Sequence, residues 1–168
     1  APIGDGDFLL LDIWAKRRTP HSVYDDITWT GFVGASVPAH VGHIFDVVPT
    51  GRDAAIRLVK EAYPRDTLFG WQVDDAARRS ITEAGYGARF LHRTGHSIHE
   101  EDHGNGANID NLETQDNRRL MRGTCFSIEP GVYLEDFGVR SEVNLLIDGG
   151  KALVTTEPIQ RELPALLA

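Results

Sequence analysis

With 168 residues, 41% of them apolar and 25% charged, the chain falls in the size range of one compact domain around one core. Aspartate and glutamate outnumber lysine and arginine by 25 to 17, and the formal net charge of −8 supplies no basic field for a phosphate backbone, which argues against nucleic acid as a partner. No basic-then-apolar leader opens the sequence and no run of about 18 apolar residues occurs in it, so neither secretion nor a membrane partner is expected. The single cysteine, Cys125, lies in Thr124-Cys125-Phe126-Ser127-Ile128 and reads as a small buried hydrophobe suited to a reducing, cytoplasmic compartment.

The opening Ala1-Pro2-Ile3-Gly4-Asp5-Gly6-Asp7 leads almost at once into the apolar run Phe8 to Trp14, so the sequence reads as a fragment begun in mid-domain. After the basic turn Lys16-Arg17-Arg18-Thr19-Pro20, a second strand is predicted over Val23 to Thr30, joined to the first as a hairpin. Thr50 and Asp53 form a capping pattern ahead of Ile56, Val59 and Ala62, which predicts a helix from about Thr50 to Tyr63, stopped by Pro64. A second helix is predicted over Asp74 to Ala84, with Gly85 ending it in the left-handed conformation. Beyond Gly85, strands are predicted at Ala88–His92, Thr124–Glu129, Val139–Ile147 and Ala152–Thr155, separated by turns such as Asp148-Gly149-Gly150. Residues 1–168 form one unit without repeats or linkers, of α+β class with an antiparallel sheet.

The informative residues are polar ones where a strand ought to be apolar. Asp12 interrupts Leu9-Leu10-Leu11 and Ile13-Trp14, and an isolated ionised carboxylate there costs several kcal/mol unless a cation meets it. Taken alone, it reads more readily as a strand-end aspartate capping a turn. Asp26 shares one strand face with Tyr24, Thr28 and Thr30, while Asp25, Ile27 and Trp29 take the other. Glu129 is expected to share a face with Ser127 and Cys125, and Glu142 with Arg140 and Asn144; each by itself reads as a surface glutamate. Four of the seven histidines, His92, His96, His99 and His103, fall within twelve residues. The glycines Gly95, Gly104 and Gly106 and the missing apolar stripe point to extended chain and loop rather than a zinc-binding helix face. Two aspartates, a histidine and two glutamates spread over four strands form a donor set for two divalent cations, the arrangement that generates a bridging hydroxide at neutral pH and polarises a carbonyl.

Five segments in this order resemble the pita-bread metallopeptidases, the family of prolidase, aminopeptidase P and, more distantly, methionine aminopeptidase. They are Leu11-Asp12-Ile13, Asp26-Ile27-Thr28-Trp29-Thr30, His92-Arg93-Thr94-Gly95-His96, Ser127-Ile128-Glu129-Pro130-Gly131-Val132-Tyr133 and Gly138-Val139-Arg140-Ser141-Glu142. The resemblance implies the carboxy-terminal portion of a pita-bread domain, a curved antiparallel sheet with helices on its outer face, and hydrolysis of peptide bonds near an amino terminus, at bonds preceding proline, of the Xaa-Pro dipeptidase or Xaa-Pro aminopeptidase type. It implies that Asp12 holds one metal, that Asp26 and Glu142 bridge two, and that His96 and Glu129 hold the second, with Glu129 also the catalytic base. His92 and His103 match histidines that bind the substrate carbonyl and shuttle protons. Arg140 matches an arginine that neutralises the acidic ligands or meets the substrate carboxylate. Manganese is the favoured metal, with cobalt or zinc as substitutes, and the family's dimeric habit implies a homodimer acting on a peptide substrate. Departures from the pattern are the longer interval between Asp12 and Asp26, which enlarges the hairpin through Arg17 to His21, Trp29 in place of an arginine, Ser97-Ile98-His99 in place of a glycine-rich run, and the lack of a preceding half-domain with its own histidine. A catalytically inactive peptide- or protein-binding module of the same fold is the alternative reading.

Overall fold

The computed structural model describes residues 2–65 and 67–168. Its first hairpin pairs β1 (Phe8–Ala15) with β2 (Asp25–Phe32) antiparallel along their whole length, from Phe8 opposite Phe32 to Ala15 opposite Asp25. Alternation on β2 follows the sequence pattern: Asp26, Thr28 and Thr30 are buried, while Asp25 is exposed and Ile27 and Trp29 are half-buried. The second edge of β2 is covered by the C-terminal segment, where Phe32 N–H donates to Pro164 O at 3.0 Å and Leu166 N–H to Phe32 O at 2.8 Å.

Helix α1 runs from Ala39 to Ala62 and so begins well before Thr50. Its buried face, Val41, Ile44, Phe45, Val48, Ala55, Ile56 and Val59, recurs at helical spacing on both sides of Pro49, and that burial outweighs the amide bond the proline removes. Thr50 is no cap; its hydroxyl donates to Val47 O at 2.5 Å. Helix α2 (Gly70–Glu83) also starts earlier than predicted, because the Gln72 side chain accepts the Phe69 N–H at 3.0 Å and caps the helix there. Gly85 follows it at φ +91°, as expected. The helices meet closely at Gly51, where a Cβ would stand 2.9 Å from Ile81 Cγ1.

Two strand predictions fail for identifiable reasons. Ala88–His92 is a 3₁₀ turn (Gly87–Arg89) followed by irregular chain, because Arg78 of α2 takes the Phe90 and His92 carbonyls at 3.1 and 2.8 Å and leaves none for a strand neighbour. Val139–Ile147 is broken at Ser141 and Glu142. Its first part, β6 (Gly138–Arg140), pairs with β5 (Gly131–Tyr133), and its second, β7 (Val143–Asp148), lies in a four-stranded sheet between β4 (Cys125–Ile128) and β8 (Lys151–Val154), with β3 (Ser97–Ile98) on the outer side of β4. All these strand pairs are antiparallel, so the α+β class with antiparallel pairing stands, divided into three hydrogen-bonded sheets. The core lies between the helices and the sheets, with Phe45, Val48, Val59, Val73 and Ile81 against Phe126, Ile128, Val132, Leu145 and Ile147. Among the described residues no helix is long and apolar enough to cross a membrane.

Candidate metal centre

The five expected ligands reach one region, but from fewer strands than anticipated. Asp12 and Asp26 stand in β1 and β2, whereas His96 directly precedes β3, Glu129 directly follows β4 and Glu142 sits in the break between β6 and β7. A residue just outside a ladder can turn its side chain into a cleft without unpairing the sheet, which explains the placement. The approach of His96 depends on Gly95, where a Cβ would lie 2.0 Å from Ser127 O. Ser127 Oγ accepts the His96 N–H at 2.9 Å and donates to Glu129 Oε1 at 3.0 Å, so one hydroxyl orients both residues. Asp74, at the buried side of α2, accepts the Thr94 N–H at 2.8 Å and the Thr94 hydroxyl at 2.7 Å and fixes the segment before His96.

His96 Nε2 lies 3.4 Å from Asp26 Oδ2 and 3.4 Å from Glu129 Oε1. Asp26, His96 and Glu142 each offer a donor atom within 4.8 Å of the others. Thr28, directly opposite Asp12, donates its hydroxyl to Glu142 Oε2 at 2.7 Å, with Asp12 Oδ1 a weaker acceptor at 3.3 Å, and accepts Arg140 Nε–H at 3.0 Å. Arg140 also pairs with Asp12 and places Nη1 3.8 Å from Glu129 Oε2. Of the two roles expected for Arg140, the geometry matches neutralisation of the acids.

Four carboxylates face one guanidinium, a formal −3 before His96 is counted. Burial first, then the charges of Glu129 and Asp26, push Glu142 up to about 9. Burial likewise raises Glu129. Burial alone would lower His96, but the hydrogen bond to Asp26 and the charge of Glu129 outweigh it and raise the imidazole. Asp26 Oδ1 and Glu142 Oε1 are buried without a hydrogen-bond partner. Buried acceptors left in this way are costly, and divalent cations satisfy both the open lone pairs and the excess negative charge. The residues present fit such ions.

Asp12, Asp26, His96 and Glu129 border a cleft of about 400 Å³ that also takes in Trp14, His92, Arg93, Asp102, His103 and Glu113, and Glu142 is buried beside Asp26 and His96. His92 has both ring nitrogens engaged, Nε2 with Tyr133 Oη at 2.8 Å and Nδ1 with Arg93 O at 2.7 Å, and burial lowers its pKa. His103 stacks on His96 with centroids 4.0 Å apart, and burial with the neighbouring His96 and Arg93 charges lowers it too. Arg93 approaches His103 Nδ1 at 3.5 Å and, among the described residues, forms no ion pair with a carboxylate. The enlarged hairpin docks on the loop behind His103: Tyr24 N–H donates to His99 O at 3.0 Å and His21 Nδ1 lies 2.8 Å from Glu100 Oε1. Sequence reasoning missed Thr28, Ser127, Tyr133 and Asp74 as supports. Thr28 and Ser127 carried a signal, each standing two residues from an acidic ligand on an alternating strand.

A family model described as "Metallopeptidase family M24" matches residues 1–149. The Xaa-Pro dipeptidase of Lactobacillus delbrueckii subsp. lactis is 38% identical over 124 residues, 72% of this chain and 31% of that protein. The Xaa-Pro dipeptidase of Pyrococcus furiosus is 34% identical over 155 residues, 90% of this chain and 41% of the relative. A dipeptidase from Pyrococcus horikoshii OT3 superposes with a TM-score of 0.81 at 31% identity, covering 99% of this chain and 43% of the other. A prolidase from Thermococcus sibiricus gives 0.82 at 29% identity, covering 99% and 42%. The chain thus spans well under half the length of these relatives. Five ligand-type residues gathered in one region, the agreement in fold and the match over most of the chain lead to one conclusion: this chain belongs to metallopeptidase family M24 and has the pita-bread fold of its prolidase neighbours.

Proposed function

We propose that this stretch is the metal-holding portion of a longer pita-bread catalytic domain in a peptidase that hydrolyses Xaa-Pro bonds near a peptide amino terminus. The observation that carries the reading is the pair of buried, unpartnered oxygens, Asp26 Oδ1 and Glu142 Oε1, beside His96. The choice of Xaa-Pro substrates comes from the relatives' names. Asp12, Asp26, His96, Glu129 and Glu142 would hold two divalent ions, with Asp26 and Glu142 the carboxylates that would be shared between them. Such a pair supplies Lewis acidity toward a peptide carbonyl and lowers the pKa of water to near neutrality. Manganese is preferred where oxygen donors predominate, with cobalt or zinc as alternatives.

Glu129 accepts the proton of the attacking water, a role favoured by the Ser127 hydroxyl that fixes one of its oxygens. His103, biased toward the neutral form, binds the substrate carbonyl, and His92, also biased toward the neutral form with its Nδ1–H committed to Arg93 O, relays protons through Tyr133 at its Nε2. Arg140 offsets the charge of Asp12 and Glu129. That leaves Arg93 as the cleft cation free to meet a substrate carboxylate. A cytoplasmic homodimer without nucleic-acid or membrane partners completes the reading.

Metal analysis of the full-length protein, coupled to hydrolysis of Xaa-Pro dipeptides and longer Xaa-Pro peptides, tests it. About two divalent ions per chain and cleavage of one substrate class are expected. A protein that binds peptide but holds no divalent metal and cleaves nothing with manganese or cobalt added is a binding module instead.

A further inference from the structure

Helix α1 buries a charge that the cleft does not use. Arg52 is 1% exposed. Its Nη1 donates to Ser141 Oγ at 2.7 Å and to Gln160 O at 2.9 Å, and its Nε donates to Asp53 Oδ1 at 2.9 Å. A guanidinium taken out of water costs several kcal/mol, and its carboxylate partner Asp53 is the next residue in the chain, half in solvent, so the ion pair alone is a poor reason for the burial. The planar fork does something a hydrophobe of the same size would not: its fixed donor directions join α1 to two distant segments.

Both segments lead to the metal centre. Ser141 lies between Arg140 and Glu142 in the break where Glu142 comes together with Asp26 and His96. Gln160 clamps β2 with both ends of its amide, accepting the Thr30 N–H at 2.9 Å and donating to Thr30 O at 2.6 Å. Thr30 shares the buried face of β2 with Asp26 and with Thr28, whose hydroxyl holds Glu142. One guanidinium therefore ties the Ser141 side chain next to Glu142 and, through Gln160, the strand carrying Asp26 to the same helix. These are the two carboxylates read above as bridging the ions, whose separation a dinuclear centre must hold within narrow limits.

We infer that Arg52 is a positioning residue for the metal centre, acting through Ser141 and Gln160 to set the spacing of Glu142 and Asp26. The inference rests on the metal-holding reading of the site. Loss of a supporting contact of this kind lowers metal affinity by about 10- to 100-fold.

The test compares Arg52→Met, Arg52→Lys and Gln160→Ala in the full-length protein with Val59→Ala, which opens a cavity in the same helix away from the network. Titration with Co²⁺ alone, followed by calorimetry and by the visible absorption of the bound ion, reads affinity, stoichiometry and ligand geometry; thermal unfolding is followed separately. Arg52→Met is expected to weaken binding of one of two Co²⁺ ions by about 10- to 100-fold and to alter the absorption spectrum. Arg52→Lys, lacking the fork, and Gln160→Ala are expected to do so partially. Val59→Ala at matched loss of Tm is expected to bind both ions as the wild type does. If Arg52→Met does not fold, Gln160→Ala and Arg52→Lys decide the matter by the same readout. Wild-type affinity and spectrum in the network variants, or an equal loss in Val59→Ala, overturn the positioning role alone. A wild-type protein that binds no Co²⁺ overturns the metal reading and this role together.

Discussion

Around Ile81 the layer formed by α1 and α2 encloses Val48, Val59, Val73 and Ala77 completely, apolar atom against apolar atom. Around Glu142 the same fold encloses carboxylates whose oxygens lack partners and whose charges repel. The first region lowers the free energy of the folded chain by removing apolar surface from water; the second raises it until a cation arrives. Stability and chemistry are thus assigned to opposite sides of the sheets. Substitutions in one region should leave the other largely intact, since sites more than about 7–10 Å apart with no shared partner act nearly independently.

The largest effect expected under this comparison is His96→Ala, which removes the only nitrogen donor among the proposed ligands. Peptidase activity of the full-length protein should fall by about a thousandfold, on the order of 4 kcal/mol of transition-state stabilisation, while thermal unfolding without metal stays close to wild type. Steady-state kinetics with a parallel melting curve checks both halves. Ile81→Ala is the reciprocal experiment. It should cost about 2–5 kcal/mol of stability by cavity formation and leave metal affinity per folded molecule unchanged; denaturant unfolding and metal titration on the same preparation measure the two. Equal losses of stability and metal affinity would break the division.

Thr28→Val sharpens the comparison at an intermediate scale. It keeps the volume but removes the hydroxyl that Glu142, Asp12 and Arg140 share, and metal affinity should drop by about 10- to 100-fold. A further expected effect is one of pH. Without metal, Glu142 titrates at about 9 in the folded chain against an ordinary 4.5, so the folded state holds the extra proton between those values. The stability this proton confers is fully present below about pH 4.5 and is lost as pH rises through 9. The metal-free Tm should therefore decline from pH 5 to 9, and Glu142→Gln should flatten the decline. A metal-free Tm that rises over this range would contradict a protonated Glu142.

Much of the site was legible because charge in an apolar strand is a local anomaly. Asp12 among leucines and isoleucine, Asp26 among threonines and Glu129 after Phe126-Ser127-Ile128 stand out in linear order, and the resemblance supplied the grouping. The elements that failed did so where a distant partner overrode a local signal. The Thr50 and Asp53 capping pattern argued for a late helix start, and the continuous buried face from Val41 to Val59 won. Val139 to Ile147 looked like one strand, yet the chain breaks at Ser141, where Arg52 of α1 takes the serine hydroxyl and the Ser141 N–H donates to Pro130 O at 3.3 Å.

From order and residue type alone came the donor set, the family resemblance, the first hairpin with its alternating faces, and the stops at Pro64 and Gly85, all governed by neighbours within a few residues. Tertiary structure alone decided that Arg140 pairs with Asp12 and approaches Glu129, that the Thr28 hydroxyl donates to Glu142, and that Arg52 reaches Ser141 from a helix 89 positions away in sequence. Such choices depend on which buried polar atoms meet across long stretches of chain. No short-range pattern encodes that meeting, because burial and the need to satisfy each charge are properties of the packed whole.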